Sequence, residues 1–139
     1  MKFFLLMPFL FMPSFWSPPN SFKCSGFLTK SGVSTYSPNR SSKQSISFLL
    51  FIDNKKNQIV MTYHSSDLGP SRTTIDYLSS SLVKFSSKIK NTSEEQETFS
   101  GSLNRKTNIF TSTYLSRSRF ETYFSDFKIF TKASCVADR

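Results

Sequence analysis

An apolar segment at the N-terminus divides the chain into two unlike parts. After Lys2, residues 3–16 are mostly Phe, Leu and Met, and a Pro/Ser-rich stretch follows as far as Gly26. The fourteen residues would form a helix of ~21 Å, whereas the hydrocarbon core of a bilayer is ~30 Å thick. Pro8 also interrupts the run. The segment is therefore too short to span a membrane, and any folded core must come from the polar remainder.

A single positive charge, a short apolar run and small residues after it are the pattern of a secretory signal peptide. We expect residues 1–26 to be a signal peptide or hydrophobic leader, with Gly26 as the best candidate for the last residue before cleavage. The chain would then enter the secretory pathway or be membrane-associated. No acidic residue precedes Asp53, which also fits a mitochondrial or plastid transit peptide. In the secretory pathway, the sequons at Asn39 and Asn91 are candidate glycosylation sites.

Two cysteines, Cys24 and Cys135, lie near opposite ends of the chain. If the leader is retained they can pair, and closing a loop of ~100 residues is worth up to ~4.7 kcal/mol in the chain-entropy model. Cleavage after Gly26 would remove Cys24 and leave Cys135 as a free thiol. The sequence leaves both alternatives open.

The residues available for a core are unusual. Alanine occurs only at positions 133 and 137, whereas the chain contains 16 phenylalanines and is rich in serine. Phenylalanine packed beside serine leaves gaps or buries hydroxyl groups, and both are unfavourable. We therefore expect a sticky, largely irregular chain without a cooperative fold.

The same composition bears on origin. Phe, Ser, Lys, Asn, Ile and Leu all have A/T-rich codons, which favours the hypothesis that the chain is the product of a reading frame not selected for function. No specific biochemical function follows from the sequence under that hypothesis. The alternative is a small secreted or membrane-associated protein.

Two local patterns predict at most a small α+β unit. Two apolar runs flank a polar turn at 53–57, which predicts a β-hairpin over residues 46–63. Large apolar residues separated by three and four positions predict an amphipathic helix over residues 73–90 that packs on the hairpin. The residues that carry this spacing are Ile75, Leu78, Leu82, Phe85 and Ile89.

The rest of the chain gives weaker signals. Residues 27–45 are predicted to be a Ser/Pro-rich linker, 46–132 a possible small α+β region and 133–139 a tail. Within that region, residues 92–106 are polar and expected to be irregular, and the run 109–115 is a candidate strand.

The residue types that catalysis requires are scarce. His64 is the one histidine, so neither a structural zinc site with four N/S ligands nor a Ser-His-acid triad has a local signature. The four glycines are too dispersed to form a phosphate-binding loop. We expect no enzymatic activity, no metal and no cofactor.

A basic and aromatic stretch near the C-terminus is the candidate interface. The net charge is +9, which attracts nucleic acid or anionic lipid. The cations predicted to contact an anionic membrane surface or the phosphates of single-stranded nucleic acid are Arg117, Arg119, Lys128 and Lys132. The aromatic residues predicted to stack on bases are Phe120, Tyr123, Phe124 or Phe127.

Overall fold

Eight antiparallel strands form a closed barrel in the computed structural model, which describes residues 19–37, 39–62 and 68–138. Each strand pairs with the next in sequence, and β1 also pairs with β8, which closes the sheet. The strands are β1 Ser21–Ser34, β2 Arg40–Asp53, β3 Gln58–Thr62, β4 Arg72–Leu78, β5 Leu82–Asn91, β6 Glu95–Asn104, β7 Ile109–Phe120 and β8 Tyr123–Ala137. The predicted fold class, largely irregular with a small α+β unit, is therefore wrong. Among the described residues, no helix is long and apolar enough to cross a membrane.

Alternation along the strands builds the core. In β2, residues 46, 48, 50 and 52 are buried inside the barrel, and the residues between them are exposed. Phenylalanine rings from three strands meet at the centre: the ring centroids of Phe48 and Phe110 are 5.0 Å apart, and those of Phe85 and Phe110 are 5.8 Å apart. Gly101 makes room for them, since a Cβ atom there would lie 2.6 Å from the Phe85 ring. A glycine beside large rings thus replaces the alanines that the chain lacks.

The helix expected over residues 73–90 is two strands and a turn. Thr73 and Ile75 of β4 and Val83 and Phe85 of β5 face the core, while Leu78 is 40% exposed. Between the strands, the Ser79 hydroxyl accepts hydrogen bonds from the backbone N–H groups of residues 81 and 82 at 3.2 and 3.0 Å. The three-residue turn breaks the alternation of inward and outward residues between β4 and β5. As a result, the apolar residues of two strands are separated by three and four positions, as in a helix. The threonines of β4 also favour strand, and the serines of β5 lower its helix propensity.

The pairing expected over 46–63 exists, but as one step of the barrel, with β2 antiparallel to β3. Asp53 begins its turn by accepting hydrogen bonds from the N–H groups of residues 55 and 56 at 3.1 Å, and Asn57 ends it with φ +55°. The β6–β7 turn is built in the same way, from Asn104 to Asn108 with φ +58°.

Other stretches expected to be irregular also form strands. Most of residues 27–45 belong to β1 and β2, and most of 92–106 belongs to β6. The run 109–115 is strand, as predicted, and forms the first part of β7. The serine-rich segments become ordered because both neighbours in the closed sheet supply hydrogen-bond partners.

The two ends of the barrel differ. At one end, Arg105 donates hydrogen bonds at 3.0 Å to the carbonyl oxygens of Ser79 and Pro19 and to Oδ1 of Asn20. These bonds tie the β6–β7 turn to the β4–β5 turn and to the start of the described chain, so we call this the closed end. We call the other end, with the β1–β2, β5–β6 and β7–β8 loops, the mouth.

Candidate binding surfaces

The four cations of the predicted interface share one side of the sheet. Buried residues of β7 and β8 occupy alternate positions, such as 110, 112, 129 and 131, and face the barrel interior. The intervening positions face outward, and these include Arg117, Arg119, Lys128 and Lys132. The strands therefore bring the predicted cations onto the outer surface of one hairpin.

Two of these cations already have a carboxylate partner. Arg119 Nη2 lies 2.8 Å from Oδ2 of Asp126, and Arg117 Nε lies 3.4 Å from Oδ1. The hydrogen bond from Arg119 is the main reason that the pKa of Asp126 is lowered. The charge of this group is thus partly neutralised, and Lys128 and Lys132 carry more of the field of the hairpin.

The predicted aromatic partners are not arranged as one stacking row. Phe127 faces the barrel interior and packs against the core. Tyr123 lies at the end of the hairpin and stacks on Tyr36, with 5.9 Å between ring centroids. Phe124 faces outward beneath Arg119, whose guanidinium carbon is 5.6 Å from the ring centroid. Phe120 ends β7 beside Tyr123.

The neighbours of the two lysines come from distant parts of the chain. Phe27 of β1 lies directly opposite Lys132, and Phe130 lies between Lys128 and Lys132 along β8. The ammonium group of Lys43, on β2, sits 4.4 Å from the centroid of the Phe27 ring. Phe27 is 51% exposed. Sequence reasoning missed this group because residues 27–45 read as a linker.

Exposed apolar residues continue along the same surface toward the closed end. Lys23 pairs across the sheet with both Leu49 of β2 and Val136 of β8, and Val136 is 69% exposed. We call the outward surface of β7, β8, β1 and β2 the outer face. Its exposed large hydrophobic residues include Phe27, Leu49, Phe51, Leu115, Phe130 and Val136, and its lysines are Lys23, Lys43, Lys128 and Lys132.

The predicted modification sites lie on strands and loops. Asn39 is exposed just before β2, and Asn91 is the exposed last residue of β5, so both sequons lie at the mouth. Gly26 lies inside β1, opposite Ile46 of β2 and Ala133 of β8. The leader up to residue 18 and His64 are outside the described residues.

Cys24 and Cys135 form a disulfide across the β1–β8 pair. The two cysteines are separated by 111 positions in the sequence. The bond therefore joins the first and last strands where the barrel closes.

Comparison with known proteins adds no family. No family model, curated protein or solved structure matches the chain. In the part of the chain that the structure describes, no three His, Cys, Asp or Glu side chains are grouped so as to hold a metal ion. Function must therefore be argued from the surfaces themselves.

Proposed function

We propose that the protein binds anionic membrane surfaces peripherally through the outer face. The observation that carries this proposal is the mixture of exposed Phe, Leu and Val with four lysines on one side of the barrel. Monomeric soluble proteins rarely expose large contiguous apolar patches, and such patches mark interaction sites. Each lysine near an anionic lipid surface contributes about 1 kcal/mol, and each apolar side chain that leaves water adds to this.

The residue types favour lipid over nucleic acid. Leu49 and Val136 have no flat ring on which a base could stack, yet both are strongly exposed. The ring of Phe27 is already covered by the ammonium group of Lys43. An apolar side chain flanked by lysines matches the boundary between acyl chains and anionic headgroups, where both groups find suitable surroundings.

The disulfide supports a location in the secretory pathway, since disulfides persist in oxidising compartments. Cleavage after Gly26 would remove Phe22 and Cys24, both buried, and would break β1. If a leader is removed, we propose that the cut lies before Ser21. Sequencing the N-terminus of the secreted product tests this, and a product that begins after Gly26 would contradict it.

Vesicle sedimentation tests the membrane proposal. The full chain, with its disulfide intact, should bind phosphatidylserine-containing vesicles and not phosphatidylcholine vesicles, and salt should weaken binding. Replacing Lys43, Lys128 and Lys132 with Gln should remove most of the binding. The matched control replaces Arg72, Lys84 and Lys88 with Gln, because these cations lie exposed on the outward side of β4 and β5.

A second pair of variants tests the apolar contribution. Phe27→Ser with Phe130→Ser should weaken vesicle binding, and Tyr77→Ser, at an exposed aromatic residue on β4, should not. Equal loss of vesicle binding in the two triple charge variants would show a dependence on net charge alone and overturn the proposal. Tight, salt-dependent binding to single-stranded DNA without vesicle binding would instead favour a nucleic-acid interface.

A further inference from the structure

The inward side chains of β7 and β8 change in character toward the mouth. Directly opposite pairs along the hairpin are Tyr114 with Ile129, then Ser116 with Phe127, then Ser118 with Ser125. Below them the interior is filled by phenylalanine rings. The fully buried core therefore ends at the Tyr114–Ile129 pair, and beyond it Phe127 is accompanied by serines that are too small to fill the barrel.

An apolar cavity of about 360 Å³ lies at this level. Its walls include Ile89, Ile129, Phe127 and Pro70, with Tyr114 at one side. Ile89 is the unpaired residue of a bulge in β5, where the register with β6 shifts between Lys88 and Lys90. Bulges commonly redirect a side chain, and this one adds Ile89 to the apolar residues that line the cavity.

A second, larger cavity adjoins the first and has different chemistry. Its volume is about 630 Å³, and Phe127 lines both cavities. The inward positions of β1 and β2 contribute Lys30, Arg40 and Ser42, and Ser125 of β8 adds another hydroxyl. Gly32 leaves space beside the Phe127 ring, since a Cβ atom at this position would lie 3.1 Å from that ring. This part of the mouth is thus rich in hydroxyl groups and carries Arg40, and Asp126, which also lines the cavity, is paired with Arg117 and Arg119.

Two acidic groups on β6, Glu95 and Glu97, have partners of their own. The Tyr114 hydroxyl donates a hydrogen bond of 2.8 Å to Oε2 of Glu97. Lys90 Nζ lies 3.7 Å from Oε1 of Glu97 and 3.1 Å from Oε2 of Glu95. These contacts offset much of the negative charge on β6. The electrostatic potential beside β1 and β2 is therefore set mainly by the cations of those strands.

We propose that the mouth is a binding site for a small amphipathic anion. The apolar body of the ligand lies between Ile89 and Ile129, and its carboxylate, sulfonate or sulfate group lies at Arg40. Cavities of ~300–1,000 Å³ with few polar groups are typical of small-molecule sites, and the mouths of β-barrels are a common location. The ligand contacts named here come from inward positions, whereas the lysines and exposed hydrophobic residues of the outer face occupy outward positions of the same strands.

Fluorescence titration with anilinonaphthalene sulfonate, which joins an apolar ring system to one anionic group, tests the site. The oxidised full chain should bind it saturably with one-to-one stoichiometry. Arg40→Gln should weaken binding about tenfold, which corresponds to ~1.4 kcal/mol, because it removes a charged hydrogen-bond donor from the anionic group. The same variant should leave the affinity for neutral N-phenylnaphthylamine nearly unchanged. Lys84→Gln on the outer surface of β5 is the matched control.

A second variant tests the apolar cavity. Ser116 is partly exposed and lines it, so Ser116→Trp should fill the space and abolish binding of both dyes without unfolding the barrel. Thermal melts and near-ultraviolet circular dichroism verify the fold. If dye binding resists both Arg40→Gln and Ser116→Trp but disappears with Phe27→Ser and Phe130→Ser, the dye occupies the outer face and the proposal is wrong.

Discussion

Because the chain is rich in serine and threonine, some hydroxyl groups are buried inside the barrel. Thr73, Ser112 and Thr131 are buried, and among the described residues their hydroxyl oxygens have no hydrogen-bond partner. Ser112 and Thr131 lie directly opposite each other on β7 and β8. A buried polar group without a partner costs about 1–3 kcal/mol. The interior therefore carries an unfavourable contribution that an apolar side chain of similar shape would remove.

Thr131→Val should stabilise the protein by ~1 kcal/mol, because it removes an unpartnered hydroxyl and keeps the β-branched shape. The measurement is the free energy of unfolding from denaturant melts. Thr113→Val, at an outward position of β7, is the control and should change it by less than about 0.5 kcal/mol. Destabilisation by Thr131→Val would mean that the hydroxyl has a partner, such as a bound water.

Tyr114 should titrate at unusually high pH. Burial first, and then the hydrogen bond to Glu97, raise the pKa of Tyr114 from 10.0 to about 12. Folding thus favours the neutral phenol, and this contribution is complete below pH 10 and is lost as pH rises toward 12. Ultraviolet absorbance of phenolate should show a late step that Tyr114→Phe removes. A late step that persists in the variant would assign it to another residue.

Among the strands, β1 approaches β8 so closely at Gly26 that a side chain has no room. It pairs with β2 on one side and β8 on the other. At Gly26, a Cβ atom would overlap the carbonyl oxygen of Lys132 and would lie 2.5 Å from Cα of Ala133. Both atoms belong to the backbone of β8, so no side-chain rotation relieves the contact.

Gly26→Ala should therefore weaken the β1–β8 pairing and lower the midpoint of thermal unfolding by several degrees or more, as expected for ~2 kcal/mol or more in a domain of this size. Ser25→Ala, at the adjacent outward position, is the control and should melt close to the original protein. Equal melting of the two variants would contradict the close approach of β1 and β8.

Strands near each other in sequence were predictable, and distant pairings were not. The β2–β3 pair follows from two apolar runs and the turn from Asp53 to Asn57, all within one short window. The matching turn from Asn104 to Asn108 was available in the sequence but missed. The β1–β8 pair joins segments more than 100 positions apart, and no local pattern reports it.

The candidate surfaces also divide into residues that local sequence could identify and residues that only the distant strand pairings bring together. The cations of β7 and β8 occupy alternate positions and were identified from one stretch of sequence. Phe27 and Lys43 complete the outer face only because the closed barrel places β1 and β2 beside β8. The mouth could not be inferred at all, because it requires knowing which residues of five strands face inward.

At the scale of the whole molecule, one pattern of inward and outward residues extends over all eight strands. Buried residues from every strand contribute to a single core. Such agreement between local pattern and global fold is typical of sequences that specify one structure. It leads us to expect a cooperative fold, whereas the composition led us to expect none. The hypothesis of an unselected reading frame stays open to the following measurement.

The oxidised protein should melt in one sharp, reversible transition, and reduction should shift that transition strongly. The disulfide joins β1 to β8 across a sequence separation of 111. In the chain-entropy model, a loop of ~100 residues contributes about 4.7 kcal/mol, with ~2–4 kcal/mol typical of measured disulfides. Cys24→Ala with Cys135→Ala should reproduce the effect of reduction and should not respond to reductant. Because both cysteines are buried, part of the destabilisation of this double variant also reflects lost packing.

A broad transition of the oxidised protein, unaffected by reductant, would show that the barrel does not form a cooperative unit and would restore the hypothesis of an unselected reading frame.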